Sequence, residues 1–406
     1  MQHALQLPLA LISLAAIGQA APQIARHVSP ELDPRTPITQ KTSPGDADSI
    51  FRITKPGSYY LTGNLVGESG KAGIEIASGN VQLDLMGFRM RGGAGTLDGI
   101  VVSTPGVYTV EIRNANLTGW GGDGIDLDLV TSGSVVRQAV SSGNGGAGVR
   151  VGDDAIVEDS ATSGNTGPGV HAGNHARVRR TRANQNDIGI LTGDRAELVG
   201  CTTNGNTQSG TSTNERSRVV DCTSSSNGQN GFYAYDGSNY LRCHAENNGF
   251  GGIQTTNKGG VVDQCFLGGN SWGVSLTGEG TVANCEIVSN TAGGIQSSGL
   301  IRDNRISGGT VGINVSSNSR IVGNHVTGCS SDGIKVRSGG SLVMDNTVTF
   351  CQTIGIRLEG QRSTLIRNVA SNNPIDYYVP AGNKAGPIIT ADGFSPTTDP
   401  WANFSS

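Results

Sequence analysis

Apolar and polar residues follow one another along this chain in a short unit that repeats many times. One copy begins with Gly252 and the apolar Ile253, has an apolar Val262 midway, and continues with Cys265 and Asn270. The copy that follows it has the same order of residue types. A unit of this length that recurs along a chain predicts a structure of stacked, nearly identical turns.

The glycine that opens each copy recurs at intervals of roughly 18 to 26 residues. The longest intervals lie at the N-terminal end, which predicts longer outward loops on that half of the structure. These glycines are Gly73, Gly99, Gly124, Gly148, Gly169, Gly189, Gly210, Gly231, Gly252, Gly273, Gly294, Gly312, Gly333 and Gly355.

Several of these glycines precede runs in which apolar and polar residues alternate, such as Ile125–Leu129 and Ile334–Val336. Alternation with β-branched residues favours strands over helices. Leucine-rich repeats have a similar period, but their Leu-x-x-Leu-x-Leu motif does not occur in the sequence. We therefore predict an all-β protein, a single-stranded right-handed parallel β-helix (solenoid) of about 14 coils.

Two further positions recur in register through the repeats, five residues apart. Asn suits such positions because it tolerates left-handed backbone angles, and because its amide can bond to the copies above and below it. The first ladder is Ala139, Ser160, Thr181, Cys201, Cys222, Cys243, Cys265, Cys285, Asn304, Asn324, Asn346 and Asn368. The second ladder is Asn144, Asn165, Asn186, Asn206, Asn227, Asn248, Asn270, Asn290, Gly309, Cys329, Cys351 and Asn373.

All seven cysteines fall on one of these two ladders. A metal site is the alternative, but the chain has no Cys-x-x-Cys spacing. We therefore interpret the cysteines as small buried apolar residues with unpaired thiols.

The segments outside the repeats differ from them in composition. An apolar stretch followed by small residues predicts a signal peptide at 1–21, and Pro, Ser and Thr predict a linker at 22–48. We predict an N-terminal cap at 49–72, the β-helix at 73–373, and a C-terminal cap and tail at 374–406. No later stretch is apolar enough for a transmembrane helix. The chain is therefore expected to be secreted, whether extracellular, periplasmic or on the cell surface.

Composition and charge narrow the classes of partner. The chain has 62 Gly and only 5% aromatic residues, which suits one narrow column of core rather than a large globular core. Its net charge is −4, which argues against a general nucleic-acid or anionic-membrane binder.

The residue after each inward Ile or Val is expected to point outward, and stacked turns align these residues in rows. Asp126, Arg150 and His171 then lie on consecutive turns, with Asp128 beside Asp126. The two carboxylates could hold Ca²⁺, and Arg150 or His171 could abstract a proton next to a uronate carboxylate. The alternative is a solvated charged surface with an ion pair between Asp126 and Arg150.

Two aromatic residues on the outward face offer a second candidate site. Tyr233 and Tyr235 could stack against sugar rings, with Gln254 opening a polar row beside them. As single aromatics on a sheet face, they could equally be ordinary surface residues.

The glycine anchors and trailing Asn ladders resemble the right-handed parallel β-helix repeats of the pectin-lyase-like superfamily, over about residues 50–373. Thr54–Asn64 and Asp399–Phe404 are similar to segments of uncharacterised secreted bacterial β-helix proteins. Gly122–Asp126 resembles an Asp-bearing motif of the polygalacturonases. That family's adjacent Asp pair, Gly-His-Gly and Arg-x-Lys segments are absent from the corresponding coils, which argues against its activity here.

Two hypotheses for function follow from these features. The first is a secreted, non-catalytic β-helix that presents an extended polar face to a polysaccharide or cell-surface glycan. The second is a polysaccharide lyase or uronate epimerase of the pectate-lyase-like type, with Ca²⁺ at the Asp cluster. The low aromatic content and the sparse clustering of titratable residues favour the first hypothesis.

Overall fold

The computed structural model describes residues 35–390 and 398–406. The predicted signal peptide, 1–21, lies outside the described residues, as does 22–34 of the predicted linker. The described residues form strands and turns and contain no helix. Within them, accordingly, no helix has the length and apolar character needed to cross a membrane.

Each turn of the structure contains up to three short strands, which we call its first, second and third strands. The first strands are β2 (Ser49–Ile53), β5 (Ala72–Ile76), β8 (Ile100–Val102), β11 (Ile125–Leu127), β14 (Val149–Val151), β17 (Val170–Ala172), β20 (Ile190–Thr192), β23 (Thr211–Glu215), β26 (Phe232–Asp236), β29 (Gly251–Lys258), β36 (Val311–Val315), β39 (Ile334–Val336), β42 (Ile354–Leu358) and β45 (Ile375–Tyr378).

Two longer strands, β32 (Trp272–Ala283) and β34 (Gly293–Arg302), run through the first and second positions of their turns. The separate second strands are β3 (Gly57–Leu61), β6 (Val81–Asp84), β9 (Val110–Arg113), β12 (Val135–Arg137), β15 (Ile156–Glu158), β18 (Arg177–Arg179), β21 (Glu197–Val199), β24 (Arg218–Val220), β27 (Asn239–Leu241), β30 (Val261–Asp263), β37 (Arg320–Val322), β40 (Leu342–Met344), β43 (Thr364–Ile366) and β46 (Lys384–Ala385).

The third strands form the remaining face of the column. They are β4 (Leu65–Val66), β7 (Arg89–Arg91), β10 (Asn116–Thr118), β13 (Val140–Ser142), β16 (Ala161–Ser163), β19 (Arg182–Asn184), β22 (Thr202–Asn204), β25 (Thr223–Ser225), β28 (His244–Glu246), β31 (Phe266–Gly268), β33 (Glu286–Val288), β35 (Arg305–Ser307), β38 (His325–Thr327), β41 (Thr347–Thr349), β44 (Val369–Ser371) and β47 (Ile388–Thr390).

Apart from β44 and β47, which the C-terminal strand separates, each strand pairs in parallel with the strand at the same position in the next turn. Ile125 of β11 lies opposite Val149 of β14, and Val149 lies opposite Val170 of β17. The same pairing repeated through all three positions produces a right-handed parallel β-helix, which confirms the predicted fold.

The number of turns is about 17 rather than the predicted 14. The difference arises at the ends, because the segments predicted as caps form turns of the same kind. At the N-terminal end, β2, β3 and β4 pair with β5, β6 and β7. At the other end, β45 and β46 continue the pairing of β42 and β43.

The core is a narrow stack of inward side chains. Ile125, Val149, Ile253 and Ile295 are fully buried, as the alternation in their strands predicts. The second ladder is also buried from Asn144 to Asn290, and each of these amides up to Asn270 bonds to the next, as Asn206 does to Asn227.

The seven cysteines occupy ladder positions within the described residues, where all are buried and unpaired. The Cys222 thiol, for example, accepts the backbone N–H of Cys201 at 3.3 Å and donates to the carbonyl oxygen of Val220 at 3.3 Å. A thiol therefore replaces the Asn side chain as a small group that bonds to the adjacent backbone.

Two terminal strands close the column. β1 (Thr36–Ile38) lies in the range predicted as a linker, but it pairs in parallel with β3, and Ile38 is only 1% exposed. β48 (Asn403–Ser405) pairs with both β44 and β47. Both ends of the described chain are therefore tied into the sheets: β1 extends the second-strand sheet beyond β3, and β48 is inserted between β44 and β47.

Candidate functional site

One row of outward side chains runs along the first strands, and the strand register aligns it from turn to turn. We call it the outward row. It consists of Glu75, Val101, Asp126, Arg150, His171, Leu191, Ser212, Tyr233, Gln254, Ser275, Gln296, Asn314, Lys335 and Arg357. The sequence predicted this alignment, and the register confirms it.

Asp126, Arg150 and His171 are therefore neighbours, but their contacts differ from the expected ones. The Arg150 Nε donates to Asp123 Oδ2 at 2.7 Å. Arg150 therefore forms its ion pair with Asp123 and not, as predicted, with Asp126. Asp123 also accepts the backbone N–H of Ala147, which fixes its carboxylate beside the guanidinium. The Arg150 Nη1 lies 3.2 Å from His171 Nδ1.

Sequence analysis missed two carboxylates of this cluster, Asp98 and Asp123. Asp98 accepts the backbone N–H of Asp123 at 2.5 Å through its Oδ1 atom. Each of the two residues directly precedes an anchor glycine, Gly99 or Gly124. The same dipeptide, Asp-Gly, thus occurs at the start of two consecutive turns, and this recurrence is the sequence signal that would have identified them. We call Asp98, Asp123, Asp126, Arg150 and His171 the charged cluster.

Burial and neighbouring charges shift the titration of this cluster. Burial, reinforced by the charges of Asp123 and Asp98, raises the pKa of Asp126 to about 6. These effects outweigh the hydrogen bond that Asp126 accepts from the backbone N–H of Asp128 at 2.9 Å. Burial, together with the charge of Arg150, lowers the pKa of His171. The cluster thus combines a carboxyl group that titrates in mildly acidic water with an imidazole that is neutral at pH 7.

The predicted metal ligands, Asp126 and Asp128, have few neighbouring carboxylates that could join them in a Ca²⁺ site. Asp128 is exposed, whereas Asp126 is half-buried. In the part of the chain that the structure describes, one group of three carboxylates has ligand atoms within 4.8 Å of one another, and it is Asp46, Asp48 and Glu75. Asp126 and Asp128 do not belong to such a group, so water or backbone oxygens would have to complete a Ca²⁺ site there.

The predicted sugar-binding residues lie further along the same face. Tyr233 is half-buried, and its hydroxyl lies 3.2 Å from Thr256 Oγ1. Tyr235 is 52% exposed, so about half of this residue is accessible to a ligand. Gln254 lies opposite Tyr233 on the next strand and is half-buried.

Beyond Gln254, the face deepens into a groove with a cavity volume of about 240 Å³. We call it the polar groove. Most of its side chains carry hydroxyl or amide groups, Leu276 and Val315 are apolar, and Arg337 is the one charged residue in this lining. The hydroxyl and amide groups come from Ser275, Gln296, Asn314, Thr277, Ser298 and Ser316.

Comparison with known proteins agrees with the observed fold. Residues 209–343 and 265–394 match the family model described as the right handed beta helix region. No curated protein matches the chain.

Several solved structures resemble the chain at low identity. The A-module of the mannuronan C-5 epimerase AlgE4 from Azotobacter vinelandii is 17% identical, over 82% of this chain and 91% of that one, with a TM-score of 0.40. The periplasmic alginate epimerase AlgG is 12% identical, over 91% and 80%, with a TM-score of 0.35. The α-1,3-glucanase catalytic unit from Streptomyces thermodiastaticus is 11% identical, over 97% and 69%, with a TM-score of 0.35. At these identities the likeness concerns the fold alone.

Proposed function

We propose that this right-handed parallel β-helix protein, whose fold is of the pectin-lyase-like type, binds a polysaccharide along the first-strand face of its column. The observation that carries this proposal is the polar groove, which continues the outward row from Tyr233 and Gln254. Its hydroxyl and amide groups are matched to the hydroxyl groups of sugars. Because the turns repeat, similar groups recur at a constant spacing, which suits a polymer of repeating units.

Tyr235 would supply the stacking contact at one end of this face. Its ring is half-exposed, and its strand β26 pairs with β29, which carries Gln254. An aromatic ring of this kind binds the apolar face of a sugar while the flanking polar groups bind its hydroxyls. We propose that Tyr233 orients this region through its contact with Thr256.

The proposed setting is outside the cytoplasm. The predicted signal peptide at 1–21 supports secretion, and extracellular and cell-surface polysaccharides would then be accessible. Detection of the mature N-terminus beyond residue 21 in a culture supernatant or periplasmic fraction would support this part of the proposal.

A glycan panel tests the binding proposal. Calorimetric titration should find at least one polysaccharide that binds the purified protein, and Tyr235→Ala should weaken that binding roughly tenfold. Phe350→Ala is the matched control, because Phe350 is 62% exposed on a different face. Equal weakening by both substitutions would contradict a site at Tyr235.

The charged cluster supports a second candidate function, cleavage or epimerisation of a uronate polymer. Proton abstraction beside a carboxylate requires an unprotonated base, and the lowered pKa of His171 keeps that imidazole unprotonated at pH 7. Arg150 would offset the substrate's negative charge, although it already bonds to Asp123. Asp126 and Asp128 would hold Ca²⁺, which would acidify the proton to be removed.

His171→Ala separates the two candidates. A lyase or epimerase would lose its unsaturated or epimerised product in this variant, while polysaccharide binding at the polar groove would be unchanged. If the unaltered protein forms no product from any uronate polymer in the presence of added Ca²⁺, the second candidate is rejected and polysaccharide binding remains as the proposed function.

A further inference from the structure

The polar groove contains the cation Arg337, which forms no ion pair with a carboxylate in the described part of the chain. We infer that the groove selects an acidic polysaccharide, and that Arg337 binds its carboxylate or sulfate group. This inference rests on the proposed function and specifies the class of polysaccharide. Three features of the groove support it: the partners of the nearby cations, the position of the guanidinium, and the absence of acidic lining.

The neighbouring cations of the outward row are already paired. Lys335 Nζ lies 2.9 Å from Glu359 Oε1. Arg357 makes two hydrogen bonds to the Asp332 carboxylate, at 2.8 and 3.0 Å. Arg337 forms no ion pair with any residue in 35–390 or 398–406. Its charge is therefore available to a ligand.

The guanidinium of Arg337 is held in a defined position. Its Nε donates to Asn314 Oδ1 at 2.9 Å, and Asn314 is only 5% exposed. The two Nη groups donate to no atom of the described residues, and the side chain is exposed. Two parallel N–H groups at the end of a planar guanidinium match the two oxygens of a carboxylate or sulfate.

The surroundings favour an anion over a neutral sugar. Apart from Arg337, the groove is lined by uncharged residues, most of them polar, so no side chain in its lining repels a negative charge. Ser298 and Ser316 form a hydroxyl–hydroxyl hydrogen bond of 2.9 Å in this lining, so one of the two hydroxyls can still donate to a further ligand oxygen. Two acidic residues lie near the groove but are not part of its lining. Glu359 directly follows β42, the strand paired with β39, and is ion-paired with Lys335. Glu279 lines a different depression.

The test compares three oligosaccharide probes of similar length: an oligouronate, a sulfated oligogalactan and a neutral oligoglucan. The protein should bind one of the two acidic probes roughly tenfold more tightly than the neutral one, as expected for a charge-assisted bidentate contact. The acidic probe that binds more tightly identifies the anionic group as carboxylate or sulfate.

Substitutions locate the contact. Arg337→Gln should remove the preference for the acidic probe, whereas Arg320→Gln should leave it unchanged. Arg320 is an exposed arginine on β37, outside the groove, so its loss changes the net charge by the same amount. Arg337→Lys keeps the charge but lacks the planar pair of N–H groups, and it should restore only part of the preference.

The outcomes separate this inference from the proposed function. Equal affinity for acidic and neutral probes, or equal losses in the two Gln variants, would overturn the inference while leaving polysaccharide binding intact. Failure of every probe and every polysaccharide in the panel to bind would overturn both.

Discussion

At the residue scale, side-chain amides join one turn to the next inside the column. Asn227 Oδ1 accepts both the backbone N–H and the Nδ2 group of Asn206, at 3.0 and 2.8 Å. Its own Nδ2 donates to Asn248 Oδ1 at 2.9 Å. Because these residues are buried, each of these hydrogen bonds replaces one that water can no longer make.

Replacing Asn227 by Ala should lower the free energy of unfolding by about 2–4 kcal/mol, because two buried donors of Asn206 would lose their acceptor. Asn204→Ala is the control, since Asn204 is exposed. Its effect should stay within about 0.5 kcal/mol. Chemical denaturation of both variants measures the difference, and similar values would contradict a stabilising ladder.

Asp126 should make stability depend on pH. Its pKa of about 6 in the folded protein lies above the ordinary carboxyl value, so the folded state binds this proton more tightly than the unfolded state. The resulting stabilisation is complete below about pH 4 and is lost as the pH rises through about 6. Asp126→Asn should remove this loss and stabilise the protein at pH 7 by on the order of 1 kcal/mol, since partial solvent exposure reduces the effect.

Thermal unfolding between pH 4 and pH 8 checks this expectation. Asp128→Asn is the matched control, because Asp128 is exposed two residues away. A larger pH effect from the control than from Asp126→Asn would show that the carboxyl group of Asp126 does not carry the shift.

The sequence predicted the alignment of Asp126, Arg150 and His171 because alternation and a constant period determine which residues share a row. It did not predict that Arg150 bonds to Asp123. That contact depends on the turn before Gly124, where the chain bends and periodicity no longer specifies the direction of a side chain. The row of residues was therefore predicted correctly, but the hydrogen-bond partner of Arg150 is determined by contacts between turns that the repeat pattern does not specify.

At the scale of elements, the repeated strands were predictable and the terminal strands were not. β1 and β48 each fill one place in a sheet, but neither carries an anchor glycine or the spacing of the repeats. β48 is identified only by its contacts. Asn403 Oδ1 accepts the Nδ2 group of Asn368 at 3.0 Å, so the tail supplies the last amide of the first ladder.

Asn403→Ala should therefore open the C-terminal end of the column. Asn403 is fully buried, and its loss would leave the backbone N–H of Asn368 without its acceptor and remove one of the three acceptors of the Asn368 Nδ2 group. Hydrogen exchange should accelerate in β44 and β48 while the middle turns keep their protection. Unchanged exchange in β44 would contradict the view that the tail closes this end, and Ser406→Ala, at an exposed position, is the control.

At the scale of the whole molecule, stacking converts a weak sequence pattern into long, regular surfaces. Each turn contributes one or two outward side chains to the first-strand face, and the register places them in continuous rows. The charged cluster and the polar groove lie on this same face, at different turns. A polymer lying along the face would contact both regions, which a small ligand would not.

The most direct test of polysaccharide binding on this face is a hydrogen-exchange footprint of the protein with a bound polysaccharide from the panel. The account predicts slower exchange in the first-strand segments of β26, β29, β32 and β34, with no change in the third strands β28, β31, β33 and β35. Protection confined to the third strands, or a panel in which no polysaccharide binds, would contradict it.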